Sequence, residues 1–541
     1  MANPSLQIGN DNWAIKEDNL LGYSTAGTRF VPQPITMTRA TLGTRVNPSG
    51  LVEDVALLGS EEVVNGDFDT TIPLGNTGSG WGSIVGDVVY YNGGVKLTRV
   101  SSTNRLRART ITGSDNILTQ GKQYLLYYSV LENNNCTSFK AYHGGSSTTL
   151  NNTLGNHTIY FTQDSSDQVF QFTNNTNNSN ITIDNVSVKE ATIDNLPRVD
   201  YTDGTSSLLV EPQRTNLVTY SESISNLSSN TNGTGTFTIT DNYTDSPQGV
   251  QNASRVQMSI VDTDDTNNYR LINTGSVMTT GVTREISFYA KSLTGSNQDV
   301  LVYWSYDQQI VTLTNDWQRF KISATSGNTG SIFIGTRGGS GNYYSGGDGN
   351  LDFALWGLQV EDDGSGGGSS YATSYIKTSG STVTRNQETY TKTGISDLIN
   401  SEEGCVFGEG NFAESDSGSG YFYFVSLSDG TPNNRLEIRQ SNTNLQFLWR
   451  VATYQDNIIT SGVDVSSNFK FALSYSSSNI KFYVNGNPIG TINTPTLWSA
   501  DTLNRMAFDN GSGGDILSGK VKQLQIFKTA LSDSELATLT T

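Results

Sequence analysis

Histidine and cysteine are nearly missing from this sequence. Its 541 residues include two of each: His143, His157, Cys136 and Cys405. Zinc sites and His-based nucleophilic triads are built from imidazoles and thiolates, so both have almost no material here. The two histidines are expected on the surface or on an edge strand. Two cysteines so far apart exclude a disulfide framework and argue against even a single bridge. Charged residues are also sparse, at 16 %, and acidic ones prevail, for a formal net charge of −18. Phosphate backbones and anionic bilayers are repelled by such a surface, which argues against nucleic acid as a partner. No segment approaches the ~18–20 apolar residues of a membrane span, so membrane insertion is not expected. Met1-Ala2-Asn3-Pro4-Ser5 has neither the basic nor the apolar region of a secretory signal, and synthesis in the cytosol is expected.

Glycine, by contrast, is abundant at 55 residues, and aromatics reach 10 %. Turn formers and sheet formers together, with little helix-forming composition, predict an all-β protein. A single core stops growing at roughly 250–300 residues, so several domains are required. Residues 1–60 hold short strand-like runs broken by Pro and Gly, too few for a core, and read as an attachment segment that packs on something else. From Val63-Val64-Asn65-Gly66-Asp67-Phe68 to Ile183-Asp184-Asn185-Val186-Ser187-Val188, period-two alternation predicts a β-sandwich over 61–190. A connector, 191–217, follows it. The same order of strands recurs over 218–363, which suggests a second copy of one sandwich type. Gly-Ser-rich sequence makes 364–395 a linker. The last sandwich occupies 396–541, with Asn485-Gly486 as a hairpin turn and Ser532 capping a final helical turn with Glu535.

Three stretches resemble known families. The segments 61–190 and 218–361 resemble the galactose-binding-like jelly rolls of carbohydrate-binding modules, and 396–541 resembles the concanavalin A-like, laminin-G-like sandwiches. Thr38-Arg39-Ala40-Thr41, Thr44-Arg45-Val46-Asn47, Gly50-Leu51-Val52-Glu53, Pro197-Arg198-Val199-Asp200-Tyr201, Leu208 to Leu217 and Tyr371-Ala372-Thr373-Ser374-Tyr375-Ile376 resemble a pattern of phage tail and other virion-surface proteins. In that pattern Gly-Leu-Val-Glu runs almost directly into Pro-Arg-Val-Asp-Tyr. About 140 residues intervene here, which reads as a jelly roll inserted at an exposed turn, so that 36–58 and 196–217 lie together. The resemblance implies a particle-borne structural protein of the tail-fibre, spike, head-fibre or decoration type. It implies contact with other virion proteins through the N-terminal segment, host-surface glycans as ligands, and homotrimers. The competing class is a secreted or surface polysaccharide-active enzyme, or an adhesin, that uses its sandwiches to reach glycans.

Sugar faces stack on exposed aromatic rings. The candidates are Tyr90, Tyr91, Trp304, Tyr306, Tyr343, Tyr344 and Trp449; the competing reading makes most of them core or subunit-interface aromatics. Trp317 and Trp356 sit inside strand patterns and are assigned to the core. Jelly rolls of this resemblance often hold a structural calcium, for which Asp184 and Asp352 are candidates. Concanavalin A-like hydrolases carry a Glu-x-Asp-x-x-Glu strand, which 396–541 lacks. No catalytic residue and no required cofactor is expected.

Overall fold

The structure is a computed structural model that describes all residues except 1–2, 12, 17–18, 27–28, 70–79, 86, 102–103, 110–113, 306, 340–344, 365–367, 370, 414–420 and 461. The fold is all-β. Among the described residues the helical elements are one helix, Asp533–Thr540, and one short 3-10 turn, Ile224–Asn226. Ser532 and Glu535 form the expected capping box, each bonding the other's backbone at the helix start.

Each jelly roll is built on two five-stranded layers over its own core, one of which is extended by Leu57–Glu61 in the first and by Arg214–Asn216 and Val383–Arg385 in the second. In the first, one layer runs Gly155–Thr162, Gln123–Asn134, Ser179–Thr192, Gly94–Arg99, Asp87–Tyr91. The facing layer runs Ser146–Thr149, Phe139–His143, Phe170–Asn174, Arg105–Arg109, Gly80–Val85. Leu126, Tyr128, Phe139, Phe172, Ile183 and Val188 fill the space between. In the second, the layers run Gln318–Thr325, Thr283–Ser292, Asn350–Asp362, Gln251–Ser259, Phe237–Asp245, and Asp307–Leu313, Gln298–Trp304, Gly330–Arg337, Tyr269–Met278, Ser228–Asn232. Taken in chain order, the ten strands of one match the ten of the other, position by position. The correspondence reaches single residues. Both closing strands bulge at a left-handed residue, Asn185 (φ 50°) in the first and Gly357 (φ 66°) in the second. Asparagine and glycine tolerate that conformation, and the bulge twists the strand across its layer.

The expected attachment segment is a correction: its strands belong to the C-terminal sandwich of the same chain. Leu6–Gly9 pairs with Gly519–Phe527, Asn19–Ala26 pairs with Arg29–Thr38, and Arg29–Thr38 pairs with Thr389–Thr393. Leu6, Ile8, Leu20, Ile35 and Met37 enter the same core as Phe424, Trp449, Phe471 and Ile526. A C-terminal sandwich starting at 396 is thus incomplete without residues 6–38 and Ser207–Val210, which also pairs with Gly519–Phe527.

Leu57–Glu61 pairs antiparallel with Ser179–Thr192, so the chain enters and leaves the first sandwich side by side. Beyond it, Val46 N–H donates to Asp200 Oδ2 (2.9 Å) and Tyr201 N–H to the Val46 carbonyl (3.0 Å). The expected linker is a correction: most of 371–395 is packed, with Tyr371, Tyr375, Ile376, Arg385, Glu388 and Tyr390 buried and Val383–Arg385 and Thr389–Thr393 in strands. Glycine-rich composition was a poor guide because it stops at Ser370, and the Tyr-Ala-Thr-Ser-Tyr-Ile stretch that follows carries side chains able to fill a core.

Around this junction lies a buried ionic network. Arg198 binds both oxygens of Glu388 (2.8 and 2.6 Å) and one of Glu211 (2.9 Å). Arg39 pairs with Glu388, and Arg385 with Glu211 at 2.9 Å. Ser374 donates to Glu211 through its backbone N–H (2.8 Å) and its hydroxyl (2.7 Å). The side chains of Arg39, Arg198 and Glu388 are fully excluded from solvent. Burial raises the Glu388 and Glu211 carboxyls, but the facing guanidiniums outweigh it and hold both below the ordinary 4.5. Thus Arg39, Arg198, Glu211 and Ser374, from four separate connector segments, converge on one point although they lie up to 335 positions apart, joined there by Arg385 and Glu388.

Candidate functional site

The junction leaves a cleft of about 980 Å³ between the connector, the second jelly roll and the C-terminal sandwich. Its connector wall is Thr44–Val46, Gly50–Val52, Asp200–Gly204 and Tyr371–Tyr375. The opposite wall is the outer face of the second jelly roll. Ile286, Phe288 and Ala290 point into the core, so Ser287, Tyr289 and Lys291 point out, following the period of two. On the neighbouring edge strand Arg319 stands opposite Tyr289 and Lys321 opposite Ser287, and Trp317 lies just before that strand begins.

Trp317 is therefore a correction: it is half-buried and lines the cleft rather than sitting in the sandwich core. Its indole N–H donates to the Asp245 carbonyl (3.1 Å), and the Lys291 ammonium lies 5.1 Å from its ring centroid. Trp356 is fully buried, yet between the sandwich and the connector, where it meets Tyr289 and Tyr375 at ring-centroid distances of 5.5 and 4.5 Å. Val52, Ala253, Trp356 and Tyr375 form the apolar seam that docks the connector.

Arg319 donates from Nη2 to the Thr373 carbonyl (2.5 Å) and to Ser287 Oγ (3.2 Å), while its Nε is buried without a partner. Lys321 is exposed and makes no ion pair or hydrogen bond among the described residues. Desolvation, and then the like charges of Arg319 and Lys520, lower its pKa. The cleft carboxylates already have cations: Asp200 and Asp203 share Lys520 (3.1 and 2.7 Å).

A second cavity, of about 400 Å³, lies at the equivalent face of the first jelly roll. Thr158 and Tyr160 of its edge strand meet Asp54 and Lys377 of the connector and Glu222 of the second sandwich. Burial raises Asp54 to about 6 against the nearby charge of Lys377. Lys377 pairs with Glu222 (2.9 Å), which also accepts from the Tyr375 hydroxyl (3.0 Å).

The sequence-based aromatic candidates do not converge on either cavity. Tyr91 is exposed (46 %), with the Lys96 ammonium 4.0 Å from its ring centroid, whereas Tyr90 packs against the first core, edge-on to Phe68 at 6.3 Å. Trp304 (3 % exposed) and Trp449 (0 %) are corrections: both lie in cores, and Trp449 stacks on Phe447 with its N–H donating to the Thr496 carbonyl. Neither presents a ring face to a sugar. Tyr306, Tyr343 and Tyr344 lie outside the described residues.

The calcium candidates fare unequally. Asp352 is clamped by Arg255, whose Nε and Nη2 each reach one carboxylate oxygen (2.8 and 2.5 Å), so both oxygens are committed and the residue does not suit a metal. Asp184 has one buried oxygen without a hydrogen-bond partner. Burial raises its pKa, the Asn185 backbone lowers it, and the charges of Asp69 and Asp67 raise it further. Among the described residues no group of three potential ligands assembles. Cys136 and Cys405 are buried free thiols. His143 is buried against Phe161, and His157, on the edge strand, is lowered by burial to about 4.

Residues 411–537 match the profile of the concanavalin A-like lectin/glucanases superfamily. Among solved structures, the Ruminococcus gnavus IT-sialidase CBM40 bound to alpha2,3 sialyllactose is similar at 17 % identity and TM-score 0.23, over 26 % of this chain and 83 % of that one. A native heptameric SAP-like pentraxin from Limulus polyphemus is similar at 16 % and 0.23, over 26 % and 71 %. The receptor-binding domain of botulinum neurotoxin mosaic serotype C/D is similar at 11 % and 0.24, over 28 % and 39 %. A search of curated proteins finds no match.

Proposed function

We propose that this chain is a non-enzymatic structural protein of a bacteriophage particle that displays its sandwiches for attachment to host-surface glycans. The observation that carries the reading is the cleft itself. The segments resembling virion-surface proteins do more than connect domains; they form one wall of a concave site whose other wall is the open edge of a carbohydrate-binding-module-like jelly roll. Concave sites with a few aromatic and polar groups are the usual setting for ligands of this size.

The absence of catalysis is part of the proposal. Glu437, raised by burial to about 7 against Arg435, Arg439 and Arg450, is fully enclosed, so substrate does not reach it. The competing hydrolase reading has Asp54 as its best acid. It needs a second carboxylate that is free to act, and nearby Glu222 is already held by Lys377 and Tyr375.

A glycan array probed with the full chain, run beside a reducing-end assay on every polymer bound, tests the reading. Binding without release of new reducing ends is expected. Release abolished by Asp54→Asn would instead establish the enzyme. Electron microscopy of phage particles labelled with an antibody to residues 396–541 tests the virion assignment, and light scattering in solution tests the expected homotrimer.

A further inference from the structure

The edge row of the second jelly roll runs against the charge of the protein that carries it. On a chain of net charge −18, the face bearing Trp317, Arg319 and Lys321 is cationic. We infer that the cleft takes an acidic polysaccharide, with sugar lying along the apolar wall of Trp317 and a polymer carboxylate meeting Lys321 and Arg319. This rests on the glycan-binding reading above and adds the charge of the ligand.

Alternate residues of a strand stand about 7 Å apart, so Trp317 to Lys321 spans about 13 Å, the length of a short oligosaccharide. Arg319 and Lys321 share the outward face of one edge strand, and Trp317, just before its first residue, lines the same wall. Every carboxylate on the cleft wall has been satisfied from within the protein. Asp200 and Asp203 are held by Lys520, and Glu211 by Arg198 and Arg385. Glu361, behind the floor, accepts from Thr373 Oγ1 and N–H and from Gln359. The Lys321 ammonium has no such partner, and Arg319 keeps a buried Nε unused. Beneath the floor, the guanidiniums Arg39, Arg198 and Arg385 face the carboxyls Glu211, Glu388 and Glu361, so the cationic character of the wall rests on Arg319 and Lys321 themselves. A neutral sugar would cover the Lys321 ammonium without pairing it, which disfavours it. The equivalent positions in the first jelly roll, Asn156 and Thr158, carry no cation, so the charge belongs to this copy and not to the shared fold.

The test is affinity electrophoresis of the full chain through gels containing polygalacturonate, hyaluronan or polysialic acid, each beside its carboxyl-reduced form, with dextran sulfate as a pure-charge control. Retardation by at least one carboxylate polymer is expected, and it should vanish on carboxyl reduction. Lys321→Gln should weaken it about tenfold, the scale of one charge-assisted contact, and Trp317→Ala severalfold. Lys481→Gln, which removes a cation paired with Asp533 elsewhere, should leave it unchanged. Equal retardation by reduced polymers would overturn the acidic assignment and leave glycan binding standing. Retardation by dextran sulfate that Trp317→Ala does not alter would reduce the site to bare charge and overturn the inference. No retardation by any polymer overturns it too, and an empty glycan array in addition would remove the underlying reading.

Discussion

Replacing Glu388 by glutamine should loosen the junction while leaving the two jelly rolls folded. The substitution keeps the shape of the side chain but removes the charge that faces Arg39 and Arg198, both fully buried. Breaking a buried ion pair by removing one partner costs about 3–5 kcal/mol, because the remaining charges are left uncompensated in a poorly polarisable interior. Two guanidiniums lose their partner here, and they also repel one another, so the upper part of that range is expected. The cost falls on the segments that the network ties together, Arg198–Asp200, Ser207–Val210 and Thr389–Thr393. Hydrogen exchange measures it locally: amides in these strands should exchange faster by about two to four orders of magnitude, which is that energy expressed as an opening constant. Amides of Leu126 and Ile183, deep in the first core, should keep their rates. The same junction should open in acid. Both carboxyls lie below their ordinary 4.5, so their contribution is complete above that pH and is lost as pH falls through the lower folded value. Unchanged exchange at the junction, or equal acceleration everywhere, would refute the claim that this network joins separately stable bodies.

Other expectations follow from single groups. Asp54 has the opposite sign: its pKa is raised from 3.8 to about 6, so the folded state loses stability as pH rises through that window, by about 3 kcal/mol at most. Asp54→Asn should therefore raise the melting temperature at pH 7.5 and flatten its dependence between pH 4 and 6, which calorimetry reads directly. Trp81→Ala, at a fully buried ring packed against Phe68 and Phe172, should cost about 3–5 kcal/mol in the first sandwich. Loss of that sandwich's unfolding transition, with the others retained, is the expected trace. If calcium binds at Asp184, its addition should raise the melting temperature of the wild-type chain and not of Asp184→Asn; no response to calcium or to chelator would remove the ion from the account. Arg255→Gln should release Asp352 and destabilise the second sandwich by about 1–3 kcal/mol, measured by denaturant titration, since the pair is only partly screened from solvent.

Much of the architecture is legible in the sequence itself. Period-two runs such as Tyr124–Val130 and Leu351–Val360 locate strands because alternate side chains must face a core. The likeness between the jelly rolls was visible in the order of their motifs, and the structure extends it to all ten strands and to the bulges at Asn185 and Gly357. The aromatic candidates were chosen by residue type, and type does not say which way a ring points. Trp304 and Trp449 sit at core positions of their strands, while Trp317 shares its face with Arg319 and Lys321. In Trp-Gln-Arg-Phe-Lys-Ile the cations at every second position mark the solvent side, and that alternation sets Trp317 outside the core.

Strand periodicity, turn chemistry and composition are local, so the sequence alone determined that this chain is all-β and that it divides into several sandwiches. Which sandwich the N-terminal strands complete, and what surrounds the connector, depended on contacts between residues hundreds of positions apart. Arg39, Arg198, Glu211, Ser374 and Glu388 carry no periodic signal of their own. Their meeting comes from long-range backbone pairing and from the need to bury each charge beside its opposite, and only the tertiary structure could decide it.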